Sequence, residues 1–202
     1  MKDEYKTIAF PTESVFKDKG SKFLAFAYPV SGEDEINLIR NQLKKKYHDA
    51  SHHVYAFILD TENQIYRSSD DGEPSNSSGP PVLGQLRSFE LVNVLIIVVR
   101  YFGGTKLGIP GLINAYRTAA HDALEKAKII VKYPEVHLTL GFQYQSLNTI
   151  MNLVKAHRMT IEASDFNLNC SLKLSVPKSE LKAVKEQLQK INSLTIISET
   201  YS

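Results

Sequence analysis

Hydrophobic and polar positions along the chain alternate between two periods. Tyr5 to Val15 and Ser21 to Val30 are rich in Thr, Ile, Val and Phe and read as strands joined by a turn at Lys19-Gly20. Ile36, Leu38, Ile39 and Leu43 then recur at helical spacing. Ser31 suits the N-cap of that helix, Asp34 and Glu35 its first turn, and Lys44-Lys45-Lys46 a solvated last turn. His53 to Leu59 predicts a third strand and Gln64 to Arg67 a fourth, with a turn over 60–63. Asn93 to Arg100 is different. Its six consecutive aliphatic residues, Val94 to Val99, have the pattern of a central strand buried on both faces. A short helix is expected over Val82 to Ser88 and a longer one from Pro110 to about Lys128. Leu112, Ala115, Tyr116, Ala119, Ala123 and Leu124 give the longer helix one apolar stripe.

The last third has its own rhythm. Val136 to Tyr144 reads as strand and Ser146 to Arg158 as a Ser-capped helix, followed by strands over Met159 to Phe166 and Leu168 to Val176 around Asn167. Pro177 to Ile191 reads as helix and Leu194 to Thr200 as strand. The order is βαββαβ, the ferredoxin-like arrangement in which helices cover a four-stranded antiparallel sheet. The expected class is α+β in two domains, 1–132 and 133–202.

Composition narrows the function classes. A net charge of +2 with 43% hydrophobic residues is too apolar for intrinsic disorder and too balanced for a nucleic-acid coat protein. Divided at Lys132, the halves hold 17 basic and 16 acidic residues, then 7 and 6, so neither is a basic tail. A single cysteine, Cys170, excludes an internal disulfide framework and a cysteine-rich zinc site. Met1-Lys2-Asp3-Glu4-Tyr5 carries charges where a signal peptide is apolar, and no apolar run approaches the roughly 20 residues of a membrane span. A cytoplasmic protein without membrane partners is expected.

Two loops carry the candidate chemistry. The first, Ser68 to Pro81, contains Asp70, Asp71, Gly72 and Glu73 and is the one long segment without periodicity. Its three carboxylates have the chemistry to hold a divalent cation, to raise one another's pKa for acid/base work, or to pair with Arg67 or Arg100. They lack the EF-hand spacing, and pairing with basic groups or a partner is the favoured reading. The second loop follows the aliphatic run as Arg100-Tyr101-Phe102-Gly103-Gly104-Thr105-Lys106-Leu107-Gly108 and leads through Gly111 into the long helix. Glycines before a helix N-terminus suit phosphate, Lys106 adds a point charge, and Tyr101 and Phe102 have faces for bases. Gly103 and Gly108 mimic the spacing of a nucleotide-hydrolase loop, but Ile109 and Pro110 stand where its Lys and Ser/Thr belong. His52 and His53 are adjacent on a strand, point to opposite faces and do not readily share an ion. No metal site and no cofactor are assigned.

These motifs in this order resemble the signature of the IMPACT family, whose bacterial members are YigZ-like proteins. The resemblance rests on Arg67-Ser68-Ser69-Asp70-Asp71-Gly72-Glu73-Pro74-Ser75 with Gly79 and Pro81, and on Val98 to Gly108 with Gly111-Leu112. Gly20-Ser21-Lys22-Phe23 and Asp49-Ala50-Ser51-His52 support it. It implies an N-terminal domain like the second domain of a small-subunit ribosomal protein and a C-terminal domain similar to the last domain of elongation factor EF-G. It also implies a non-enzymatic role in regulating translation, through ribosome, RNA, a translation factor or a regulatory protein. On that reading Arg100, Lys106 and Arg117 meet phosphate. The alternative is an enzyme acting on a nucleotide-like or phosphorylated small molecule, with Asp71 or Glu73 as acid/base or metal ligand. Two departures stand out: Asn76-Ser77-Ser78-Gly79 replaces Gly-Thr-Ala-Gly, and Pro110 and Asn114 remove one N–H and one positive charge from the helix start.

Overall fold

The aliphatic run at 94–99 organises the first half of the molecule. The computed structural model describes residues 4–59, 65–167 and 170–201, and its contacts divide the chain into Tyr5–Lys132 and Tyr133–Ser202. The first unit runs β1 (Tyr5–Ile8), β2 (Thr12–Asp18), β3 (Ser21–Pro29), α1 (Glu33–Lys46), β4 (His52–Leu59), β5 (Ile65–Ser69), α2 (Gly79–Ser88), β6 (Val94–Tyr101), α3 (Gly108–Glu125), β7 (Ile129–Lys132). Five strands form one sheet in the order β2-β3-β6-β4-β5, with each neighbouring pair antiparallel.

β6 is the middle strand, and both its faces are buried. Val94, Ile96 and Val98 join Phe23, Ala25, Val54 and Ala56 under α2 and α3, while Leu95, Ile97 and Val99 join Leu24, Phe26 and Phe57 under Ile36 and Leu43 of α1. A strand with no polar face has to be central, because each side needs a cover. Lys19 and Gly20 form the β2–β3 turn, both at positive φ, as a two-residue hairpin requires.

Several boundaries differ from the sequence reading, each for a local reason. The single strand expected over Tyr5 to Val15 is two, because the chain bends at Ala9-Phe10 and Pro11 has no N–H to give a ladder. α1 has Gly32, not Ser31, at its N-cap; the Ser31 N–H and hydroxyl instead donate to the Glu35 carboxylate at 2.8 and 3.0 Å. α2 starts three residues earlier than expected, with Pro80 and Pro81 in its first turn, where missing N–H groups cost little. α3 spans Gly108–Glu125 rather than Pro110 to Lys128, and Ile129–Lys132 pairs antiparallel with β1 as a two-stranded sheet the sequence did not announce. The turn over 60–63, Gln64 and Leu168 lie outside the described residues.

The second unit follows the order βαββαβ: β8 (Glu135–Phe142), α4 (Leu147–Ala156), β9 (Thr160–Asp165), β10 (Cys170–Pro177), α5 (Leu181–Leu188), β11 (Leu194–Tyr201). Its antiparallel sheet has the order β11-β8-β10-β9. Val136, Leu138, Leu140 and Phe142 alternate inward along β8 and bury one face against Ile150 and Val154 of α4 and Val184 and Leu188 of α5. Short 3₁₀ turns at Tyr144–Ser146 and Lys178–Glu180 take the first residues of both expected helices. Ser146 does stand at the N-cap of α4, but its side chain makes no capping bond; its hydroxyl donates to the Asn192 carbonyl at 3.4 Å. The chain is thus a mixed α/β protein with several sheets. Among the described residues, no helix is long and apolar enough to cross a membrane.

Candidate functional site

Both candidate loops lie at the same end of the sheet, where β5 runs into the acidic loop, β6 into the glycine loop, and β4 begins at His52 between them. Each carboxylate of the acidic loop is engaged by the protein itself. Asp70 accepts from the Ser78 and Gly79 N–H groups at 3.0 and 2.8 Å, from the Ser78 hydroxyl at 2.7 Å and from Asn76 N–H at 2.8 Å. It thereby satisfies donors that open α2. Burial pushes its pKa up, but the bonds from Ser78, Gly79 and Asn76 together hold it below the ordinary carboxylate value. Asp71, at φ 44, accepts from His53 N–H at 2.6 Å and from Lys44 at 3.4 Å, and its carbonyl meets His52 Nδ1 at 2.8 Å.

Glu73 is the centre of a buried polar cluster. Its side chain is 3% exposed and accepts from Arg100 Nη1 and from the Tyr116 hydroxyl, both at 2.6 Å, with His52 Nε2 at 3.8 Å. Arg100 also donates from Nη2 to Ser21 Oγ at 3.3 Å. Burial, and after it the bond to Glu73, raises the Tyr116 phenol far above its ordinary value, so it stays a neutral donor. The buried carboxylate is satisfied by a guanidinium and a phenol, while Arg100 Nε is buried without a hydrogen-bond partner among the described residues.

That geometry corrects one expectation directly. Arg100, expected to meet phosphate, is 5% exposed and turned toward α3, where Glu73 and Ser21 take its two terminal nitrogens. Its side chain shares a face with Phe23 and His52, its register partners, and that face is covered by helices. Arg67, the other expected partner of the acidic loop, points to Glu33 at 3.8 Å instead. The lysine run ending α1 is exposed, and its first member, Lys44, contacts Asp71.

The glycine loop faces the other way. Phe102 to Lys106 are exposed, as are Gly108 and Pro110, while Gly111 is half-buried. The start of the loop is tied down: Phe102 N–H donates to Ser51 Oγ at 3.3 Å and Gly103 N–H to Ser21 Oγ at 3.2 Å. Gly103 is glycine for want of room, since a Cβ there would lie 1.9 Å from the Gly20 carbonyl carbon and 2.2 Å from Ser21 N. Gly104, at φ 85, is glycine for its backbone and has open space around it. The Tyr101 hydroxyl donates to Asp49 at 2.8 Å; that bond holds the Asp49 carboxyl below its usual range and raises the Tyr101 phenol. Arg117 is exposed nine residues into α3, about 14 Å of helix rise beyond Gly108.

The structure therefore brings Arg100 together with Glu73, leaves Phe102, Gly103, Gly104 and Lys106 as a solvent-facing loop, and sets Arg117 apart. Sequence reading missed Ser21 and Tyr116 as members of the Glu73 cluster. Tyr116 carried a readable signal, because a tyrosine in an apolar stripe needs a partner for its hydroxyl. Also unread was a trio on α3, His121, Asp122 and Glu125, whose donor atoms lie within 4.8 Å of one another; a His and a Glu one turn apart, off the helix's apolar stripe, is its signal.

A mixed α/β protein that builds a buried Glu–Arg–Tyr cluster behind an exposed glycine loop is the class these features define. The family model described as the Impact N-terminal domain matches residues 19–124, a stretch containing every residue of that arrangement. The chain belongs to the IMPACT family. It is 26% identical over 193 residues to IMPACT family member YvyE of Bacillus subtilis (strain 168), covering 96% of this chain and 89% of that one. To IMPACT family member YigZ of Escherichia coli (strain K12) it is 29% identical over 182 residues, covering 89% of each. A solved structure titled as a crystal structure of a hypothetical protein shares the fold at TM-score 0.72 and 26% identity, covering 98% of this chain and 99% of that one.

Proposed function

We propose that this protein is a non-enzymatic regulator of translation that contacts RNA on the ribosome through the glycine loop. The observation that carries the reading is the contrast in exposure across the site. The carboxylates are engaged internally, whereas Lys106 and the loop backbone around Gly103 and Gly104 face solvent, with Lys19 and Lys22 exposed beside them. Lys19 adjoins Gly20, whose Cα packs on the Gly103 backbone, and Lys22 is the register partner of Tyr101. A cation group on a fixed backbone suits phosphate contacts that position rather than read sequence. Membership of the IMPACT family supports the translational setting, and the ribosomal-protein-like and EF-G-like folds that the family resemblance implies for the two units favour a ribosomal partner. The acidic-loop enzyme is the weaker reading, because Asp70, Asp71 and Glu73 serve a helix start, a strand N–H and Arg100.

Cosedimentation with ribosomes and separated subunits over a salt series tests this. Binding is expected at low salt and is expected to weaken as salt rises, with Lys106→Ala reducing the slope of log affinity against log salt by about one. Absence of binding at low salt overturns the reading. Binding that ignores salt and Lys106 points to a protein partner instead.

A further inference from the structure

Phe102 is an apolar ring held half in water by a rigid support. It is 50% exposed, and one side lies over the Arg100 guanidinium, 5.6 Å from carbon to ring centroid. The same guanidinium lies 5.4 Å from the ring of Phe23, which is fully buried and meets Tyr116 edge-to-face at 5.1 Å. Tyr116, Phe23, Arg100 and Phe102 thus form a column that starts in the core and ends in an exposed ring. Glu73 fixes Arg100 within it, and the Ser51 and Ser21 hydroxyls fix the backbone of Phe102 and Gly103. An isolated surface phenylalanine needs no explanation, but this one is immobilised from below and uncovered from above.

The surroundings define what would cover it. Lys106 is exposed in the loop itself and Lys19 in the turn that touches Gly103, while Lys22 is exposed on the sheet face opposite Phe23 and Arg100. Of the nearby carboxylates, Glu73 is buried against Arg100, Asp71 is bound by His53 N–H, Asp49 accepts from the Tyr101 hydroxyl, and Asp18 ends β2 beside Lys19, opposite Ser21 in register. A flat apolar face with cations around it matches a base and its flanking phosphates. A duplex hides its base faces in the stack; an unpaired strand offers them.

We propose that Phe102 is a stacking platform for an unpaired base of single-stranded RNA, with Lys106 meeting a flanking phosphate. This rests on the RNA reading above and adds strandedness to it. The test is fluorescence anisotropy of the full chain with a labelled oligouridylate and, separately, an RNA duplex with the same number of phosphates. Wild type, Phe102→Ala, Phe102→Tyr and Lys106→Ala are compared. Phe102→Ala is expected to weaken single-strand binding by about 5- to 150-fold, the loss of one base–aromatic stack, and to leave duplex binding unchanged. Phe102→Tyr, which keeps the ring and the fold, is expected to bind like wild type. Lys106→Ala is expected to weaken both probes. If Phe102→Ala binds the single strand as tightly as wild type, or loses both probes equally, stacking is overturned while Lys106-dependent RNA binding stands. If wild type binds neither probe at low salt, the RNA reading falls and the platform falls with it.

Discussion

The acidic loop and the glycine loop occupy one edge of one sheet, yet their polar groups point in opposite directions. Asp70, Asp71 and Glu73 turn toward a helix start, a strand N–H and a buried arginine. Phe102, Lys106 and the glycines between them turn toward water. Arg100 separates the two: it ends β6 as the internal partner of Glu73 and the support under Phe102. The acidic loop is therefore scaffold and the glycine loop is surface, although composition alone would rank the carboxylates as the more reactive set. Burial decides the matter for Glu73, and internal donors occupy Asp70 and Asp71. A charge removed from water must be paired inside, so it is withdrawn from any external partner.

The largest test of that division is Glu73→Ala. It strands the Arg100 side chain, 7% exposed, and the Tyr116 hydroxyl without their acceptor, and is expected to destabilise the fold by about 3–5 kcal/mol in urea unfolding. The paired change Glu73→Leu with Arg100→Met removes both charges and is expected to cost less than Glu73→Ala alone. If Glu73→Ala unfolds at the wild-type urea concentration, the cluster is not structural and the scaffold assignment is wrong.

Within the glycine loop, the two adjacent glycines separate crowding from backbone strain. Gly103→Ala drives a methyl group into the Gly20 backbone and is expected to cost about 3 kcal/mol, moving the Ser21 and Ser51 anchors with it. Gly104→Ala has free space and carries only the positive-φ penalty, about 1–2 kcal/mol. Thermal unfolding of the two variants checks the order; equal losses would mean that the β2–β3 turn does not lock the loop.

What the sequence made legible follows from the range of the forces involved. The Val94–Val99 run has the pattern of a central strand, and the apolar alternation along β8 that of a strand in a one-faced sheet, because those patterns are local. The break at Pro11 and the strand β7 were not legible, since Ile129–Lys132 continues the apolar character of α3 and its partner β1 lies at the other end of the unit. The site was legible as a set of residues, and Arg100 as one of two basic partners open to the acidic loop, but not as the particular pairs Arg100–Glu73 and Tyr116–Glu73. Arg100 and Glu73 are 27 positions apart, Glu73 and Tyr116 are 43, and no periodicity records which of two sheet faces an arginine at a strand end will take.

The smallest effect, and the one that refines the comparison most, concerns Asp70. Its carboxylate is only part-buried, so its value lies in the N–H groups and hydroxyl it satisfies at the start of α2. Asp70→Ala is expected to cost about 1–2 kcal/mol at neutral pH, the range of a lost helix cap. The sign of its pH dependence follows from the lowered folded pKa. Stabilisation by the ionised carboxylate is complete above the unfolded value of about 3.9 and fades as pH falls through the folded one. The stability gap between wild type and Asp70→Ala in urea unfolding should therefore hold steady from neutral pH down to about pH 4 and narrow below it. A gap that widens on acidification would mean that Asp70 is held protonated, available as a hydrogen-bond donor, and the acidic loop would then regain a claim to chemistry that the scaffold assignment denies it.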